Sequence, residues 1–153
     1  MKFMDSITLA YIAGFLDGDG SIFFQIIPRE DYKQKFQIRT SIAFYQDSKN
    51  VEILNWLKEM FESGYIRHRK TRISDYTIVE SKEVQKILEL LKPYVKLKRR
   101  QVELGLEILK KLENKKSNED FLAICKLVDN FKELNYSKKR KITHEVVSKF
   151  LSP

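Results

Sequence analysis

This sequence holds little that would let it be a disulfide scaffold, a fibrous repeat or a membrane span. One cysteine, Cys125, stands among 153 residues, so no internal disulfide can form. It lies in the apolar helical pattern FLAICKLV, where a buried thiol is expected rather than a nucleophile, and a reducing intracellular compartment fits. Five glycines and three prolines are too few for a linker-rich or low-complexity chain. No apolar run approaches the length that spans a bilayer. The stretch ITLAYIAGFL is not read as a secretory leader: Asp5 precedes it, and Asp17 and Asp19 follow where a small-residue cleavage site would stand. An Arg-rich, acid-poor transit peptide is missing as well. The two histidines, His68 and His144, are far apart and form no motif. Acid is also in short supply. Against 21 Asp and Glu stand 29 Lys and Arg, a net charge of +8, which points to a polyanionic partner: nucleic acid first, an anionic membrane second.

What is present suits one domain over 1–153, with 42% hydrophobic residues to build its core. Helical spacing is expected over 6–18, with Ser6 as N-cap. Two strands follow, SIFFQIIP and FQIRTSIAFYQ, joined by the polar loop REDYKQK. In the second strand Ile38, Thr40, Ile42 and Phe44 point one way and Gln37, Arg39, Ser41 and Ala43 the other. DSKNVEILNWLKEMFES is a second helix, GYIRHRK and ISDYTIVE a second strand pair, and SKEVQKILELLKPYV a third helix closed near Pro93. Residues 1–95 thus read α-β-β-α-β-β-α, an α+β class with an antiparallel sheet and helices on one face. Residues 96–153 read as helices RRQVELGLEILKKLE, EDFLAICKLVDNFKEL and ITHEVVSKFLS. Ala10, Gly14 and Gly18 recur at i, i+4 and i+8, a small-residue stripe that admits a second helix closely, either within the core or from another subunit.

The chemistry concentrates at DGDGS. An EF-hand fails, because counting from Asp17 puts Ile22 where glycine is required and Pro28 where the bidentate glutamate belongs. A phosphate-binding P-loop fails for want of Gly-Lys-Ser/Thr. An acidic glycine turn is the ordinary alternative. Its position argues otherwise: the C-terminal end of a helix already carries partial negative charge, so Asp17 and Asp19 there call for a cation. Carboxylate and carbonyl oxygens make a hard site suited to Mg²⁺ against phosphates.

A sheet face carries the matching basic groups. Gln25, Gln37, Arg39, Arg67, Arg69, Asp75 and Thr77 project opposite the Ile/Phe/Tyr face. Arg can read guanine and Gln can read adenine in the major groove, although a solvated outer face would also be polar. Lys92, Lys96, Lys98, Arg99 and Arg100 crowd a helix start that ordinarily prefers acids, which suits phosphate contact. The run Lys138 to Lys141 in NYSKKRKI is either a solvated loop or a phosphate-binding one.

AYIAGFLDGDGSI resembles the signature of the LAGLIDADG homing endonucleases. QIIPREDYK, GYIRHRK with ISDYTI, LKPYVKLKRRQ and LNYSKKRKIT extend the likeness over most of the chain, toward single-motif enzymes of algal chloroplast introns. The resemblance implies an αββαββα core with a saddle-shaped sheet, followed by C-terminal helices. It implies a homodimer paired through the stripe Ala10, Gly14 and Gly18, so that each chain supplies half an active site. Asp19, with the Gly18 carbonyl nearby, matches the metal-binding acid, and Asp17 a more structural position. Gln46 and Lys98 match residues around metal-bound water. Arg29 and Tyr32 fall in the matched strand-and-loop stretch and join Gln25, Gln37, Arg39, Arg67, Arg69, Asp75, Thr77, Lys138 and Lys141 as expected DNA contacts. The chain departs from the pattern where relatives often carry arginine and it has Asn50, with Lys49 beside it. It departs again at the apolar base-reading positions Ile27 and Ala43.

The expected activity is a staggered double-strand break in a long pseudo-palindromic DNA site by Mg²⁺-dependent phosphodiester hydrolysis, with Mn²⁺ or Ca²⁺ able to occupy the same site. The expected partners are double-stranded DNA and a second copy of the chain, with no membrane and no small-molecule substrate. The expected setting is intracellular and organellar, with the coding sequence inside an intron. A non-cleaving intron RNA maturase or a DNA-binding regulator on the same fold are the alternatives. Neither needs Asp19, Gln46 and Lys98 together.

Overall fold

The first helix is capped one residue earlier than expected. The Asp5 carboxylate accepts the Thr8 amide at 2.8 Å, so Asp5, not Ser6, caps α1 (Ser6–Asp19). In the computed structural model, which describes residues 1–135 and 141–152, the chain then turns directly into β1 (Gly20–Pro28). Gly20 is needed at that corner, because a Cβ there would lie 2.6 Å from Leu16 Cδ1 and 2.8 Å from the Leu16 carbonyl oxygen. β2 (Phe36–Asp47), a single 3-10 turn at Ser48–Asn50, α2 (Glu52–Phe61), β3 (Tyr65–His68), β4 (Ile73–Ile78) and α3 (Ser81–Leu91) complete the αββαββα order.

The four strands form one antiparallel sheet in the order β1-β2-β4-β3. Its period-two alternation sends Ile22, Phe24, Ile38, Ile42, Phe44, Tyr76 and Ile78 into a core closed by α1, α2 and α3. α4 (Arg99–Asn114) and α5 (Asn118–Asp129) pack against β1. The predicted helix over 119–134 divides at Asn130 into α5 and the one-turn α6 (Phe131–Leu134), whose Phe131 stacks on Phe24 at 5.1 Å. α7 (His144–Leu151) lies against α5.

α1 is apolar on two sides. Leu9, Ile12, Ala13 and Leu16 are buried in the core. The other side leaves Ile7 79% exposed, with Tyr11 also exposed against the edge of Trp56, and Phe3, just before the helix, is 91% exposed. Ala10, Gly14 and Gly18 are exposed there too, and a Cβ added to either glycine would meet nothing within 4 Å. Core packing inside the chain therefore does not account for the small-residue stripe.

Candidate nucleic-acid interface

The register carries the predicted polar face across the whole sheet. Gln25 pairs with Arg39 and Ile27 with Gln37 between β1 and β2. Ala43 pairs with Thr77 and Tyr45 with Asp75 between β2 and β4, and Arg67 pairs with Asp75 between β3 and β4. These positions share one pleat parity, and Gln25, Arg39, Ala43, Tyr45, Arg67 and Thr77 among them line a groove of about 660 Å³. Its second wall is Leu97–Gln101 at the start of α4, together with Glu133, Leu134 and Asn135. The Asn135 side chain donates to the Ile22 carbonyl at 3.1 Å and pins that wall to β1.

Asp75 organises the centre of this face from beneath it. Its side chain is 1% exposed. Oδ2 accepts Arg69 Nε at 2.8 Å and Arg67 Nε at 3.2 Å, and Oδ1 accepts the Thr77 hydroxyl at 2.8 Å. Burial pushes this carboxyl up, but the bonds from Arg69, Thr77 and Arg67 outweigh it and hold its pKa below the usual aspartate value. Both oxygens of Asp75, expected as a DNA contact, are engaged and covered here, and the residue holds two arginines in place. Thr77 is also buried, bonded to Asp75. Arg67 and Arg69 remain half exposed, with their Nε atoms anchored.

At the far end of β1, Arg29 donates twice to Asp31, at 3.0 Å each, and to Gln37 Oε1 at 2.9 Å, while its guanidinium lies 4.9 Å from the centre of the Tyr32 ring. Arg29, Tyr32 and Gln37 thus form one cluster. Arg39 is exposed. Lys141 is exposed beside Gln25, Ile27 and Pro28. Lys138, Lys139 and Arg140 lie outside the described residues.

The other pole of the groove is the DGDG corner, where the two acids meet different fates. Asp17 is engaged from 80 residues away. Its carboxylate accepts the amides of Lys96 at 2.9 Å, Leu97 at 3.1 Å and Lys98 at 3.0 Å, and its carbonyl accepts Lys98 Nζ at 2.7 Å. The carboxylate of the exposed Asp19, by contrast, forms no hydrogen bond or ion pair among the described residues. Lys98 is buried against Asp17, and burial pulls its ammonium below the ordinary lysine range against the opposing pull of Asp17 and Asp19. Gln46 lies at the same end of the sheet, two residues beyond the Gly20–Phe44 pair, and its Oε1 accepts the Asp47 amide at 3.1 Å. Lys49 and Asn50 are exposed in the adjoining 3-10 turn.

Phe23 and Tyr45 also line the groove, although the aromatic residues of these strands were expected on the opposite face. Strand parity carried one residue further, from Gln37, Arg39, Ser41 and Ala43 to Tyr45, would have found the second.

The family described as LAGLIDADG endonuclease matches residues 12–104. The chain is 41% identical over 140 residues to the DNA endonuclease I-CreI of Chlamydomonas reinhardtii, covering 91% of this chain and 85% of that protein. It is 38% identical over 150 residues to the DNA endonuclease I-CvuI of Chlorella vulgaris, covering 98% and 93%. The crystal structure of the homing endonuclease I-CvuI in complex with its target in the presence of calcium superposes with a TM-score of 0.89 at 37% identity, covering 95% of this chain and 92% of that one.

Proposed function

This chain belongs to the LAGLIDADG endonuclease family, and from that premise we propose that it is a homodimeric, site-specific DNA endonuclease. It hydrolyses one phosphodiester on each strand of a long pseudo-palindromic site, leaving a staggered double-strand break. The observation that carries the reading is the split between the two acids. Asp17 is spent on three backbone amides, whereas the carboxylate of Asp19, two residues on, is exposed at a helix end and forms no hydrogen bond or ion pair among the described residues. A helix C-terminus disfavours such a charge unless a cation joins it.

The donor set fits a divalent ion held by oxygen. The Asp19 carboxylate and the Gly18 carbonyl would hold it, with Mg²⁺ the ion proposed and Mn²⁺ or Ca²⁺ able to replace it. The described residues contain no group of three or more His, Cys, Asp or Glu that could hold a metal. One carboxylate and one carbonyl are fewer oxygens than a divalent ion takes, so each chain would offer half a site that the same residues of a second copy complete. When bound, such an ion activates water and stabilises charge on the phosphate oxygens. Lys98 brings a buried positive charge to the same corner, where it stabilises negative charge developing on a phosphate. The Gln46 amide offers a donor and an acceptor for ordering water. The apolar outer side of α1 is the surface that joins the two copies, and the arginine-lined groove of each copy takes one half of the DNA site. The origin proposed is an organellar intron, a reading supported by the likeness to the Chlamydomonas reinhardtii and Chlorella vulgaris proteins.

Gel-shift and cleavage assays on one duplex decide between this and a non-cleaving role. Asp19→Asn keeps the shape and removes the charge, so DNA binding is expected to persist and cleavage to vanish. Retained cleavage by that variant sinks the metal assignment. A wild-type protein that binds its duplex with divalent metal present and never cuts it is a regulator rather than a nuclease.

A further inference from the structure

Arg69 is held at two points. Its Nε donates to Asp75 at 2.8 Å, and its guanidinium lies 5.5 Å from the centre of the Tyr45 ring, within the range of a cation–π contact. Arg67 shares the same carboxylate oxygen, but among the described residues no aromatic ring seats its guanidinium. Tyr45 is itself anchored. It pairs directly with Asp75 across β2 and β4, and its hydroxyl lies 3.0 Å from the Ser21 hydroxyl on β1. Ser21 is two residues beyond Asp19. A continuous chain of contacts thus crosses the floor of the groove from the strand that leaves the DGDG corner, through Ser21 and Tyr45, to Arg69 and Asp75.

A long arginine one residue past the end of a short strand has rotamer freedom to lose before it can meet a base edge in one geometry. A ring on one side and a carboxylate behind remove much of that freedom before DNA arrives. We propose that Tyr45 is a positioning residue that sets base specificity: its ring seats Arg69 for a two-pronged contact with a base edge, and its bond to Ser21 keeps the ring in place. This rests on the reading of the groove as a DNA interface. It makes Arg69 the more discriminating of the two arginines and ties its discrimination to a residue that need not touch DNA.

The test is a binding selection on a randomised duplex library with the full-length protein and the variants Tyr45→Leu, Tyr45→Phe, Arg69→Ala and the double variant Tyr45→Leu/Arg69→Ala. Arg69→Ala is expected to flatten base preference at one half-site position. Tyr45→Leu should relax preference at that same position by roughly fivefold, the size of an exposed cation–π contact. Tyr45→Phe keeps the ring and should keep most of the preference. The double variant should match Arg69→Ala alone, since two residues that act through one contact are not additive. Thermal melts identify any variant that has lost its fold, and Tyr45→Phe, which alters only the hydroxyl, then carries the comparison by keeping the preference that Arg69→Ala loses. If Tyr45→Leu retains full preference while Arg69→Ala loses it, the seat is refuted and the interface stands. A further loss in the double variant means that Tyr45 touches the base itself, which also overturns the proposal. If Arg69→Ala leaves every preference unchanged, the reading of bases by this face fails, and the role of Tyr45 fails with it.

Discussion

Asp17 and Asp19 differ by one glycine in sequence and entirely in surroundings. Three amide bonds to a carboxylate are charge-assisted, and each such bond contributes on the order of 1.5–3 kcal/mol before cross-coupling. Asp17→Ala should therefore lower unfolding stability by about 2–4 kcal/mol, measured by denaturant titration, and should weaken cleavage as well because Lys98 loses its mooring. Stability within error of wild type would show that the 96–98 segment docks by other means. Asp75 yields a pH prediction. Its folded pKa lies below the unfolded value, so its contribution is complete above about pH 3.9 and is lost as pH falls through the folded value. Melting curves of wild type and Asp75→Asn should therefore differ most at neutral pH and converge in acid; a gap that is constant with pH would refute the charge account. At Cys125, burial pushes the thiol up to about 12. Native protein should thus resist a thiol reagent that labels it fully in denaturant, and rapid native labelling would show that the inner face of α5, which carries Cys125, is not closed against the core.

At the scale of elements, α1 does two jobs with one stretch of sequence. Its inner face seals the core, and its outer face is both apolar and free of bulk at Gly14 and Gly18. Because a side chain at Gly14 meets nothing inside the chain, Gly14→Leu should leave the monomer folded while driving two copies apart. Circular dichroism would be unchanged, and sedimentation at micromolar concentration would shift from dimer to monomer. A wild-type monomer under those conditions would refute pairing through α1. The strand order and most of the facing were legible, since a half-buried antiparallel sheet imposes alternation on its sequence, with Phe23 and Tyr45 the exceptions. The break between α5 and α6 was not, because Phe131 continues the helical spacing while reaching Phe24 from a new turn. The cap of α1 was misplaced by one residue for a similar reason: Asp5 and Ser6 are both good caps, and only the bond to Thr8 chooses between them.

Across the whole molecule, the charge of +8 becomes a field with a direction only once the sheet gathers its arginines on one side. Residues that meet phosphates should differ from those that meet bases. Lys141→Ala, at the rim beside Pro28, is expected to weaken binding to all duplexes alike and to lower the salt slope by roughly one unit. Arg67→Ala should instead cost about 1–3 kcal/mol at a local cluster of bases. Binding measured at two salt concentrations on matched and mismatched duplexes separates the two, and identical behaviour of both variants would remove the division between rim and floor.

Local pattern by itself determined the αββαββα order, the polar parity that runs through Gln25, Arg39, Arg67 and Arg69, and the unusual pair of acids at a helix end. Each follows from a period or an end effect that a short window of residues contains. Only the tertiary structure decided that the Asp17 carboxylate is bonded by residues 96–98 while that of Asp19 forms no hydrogen bond or ion pair within the described residues, that Asp75 lies under two arginines rather than beside them, and that Tyr45 faces the groove with Arg69 over its ring. These are contacts between elements up to 81 residues apart, and no local period encodes which carboxylate a distant backbone will reach first.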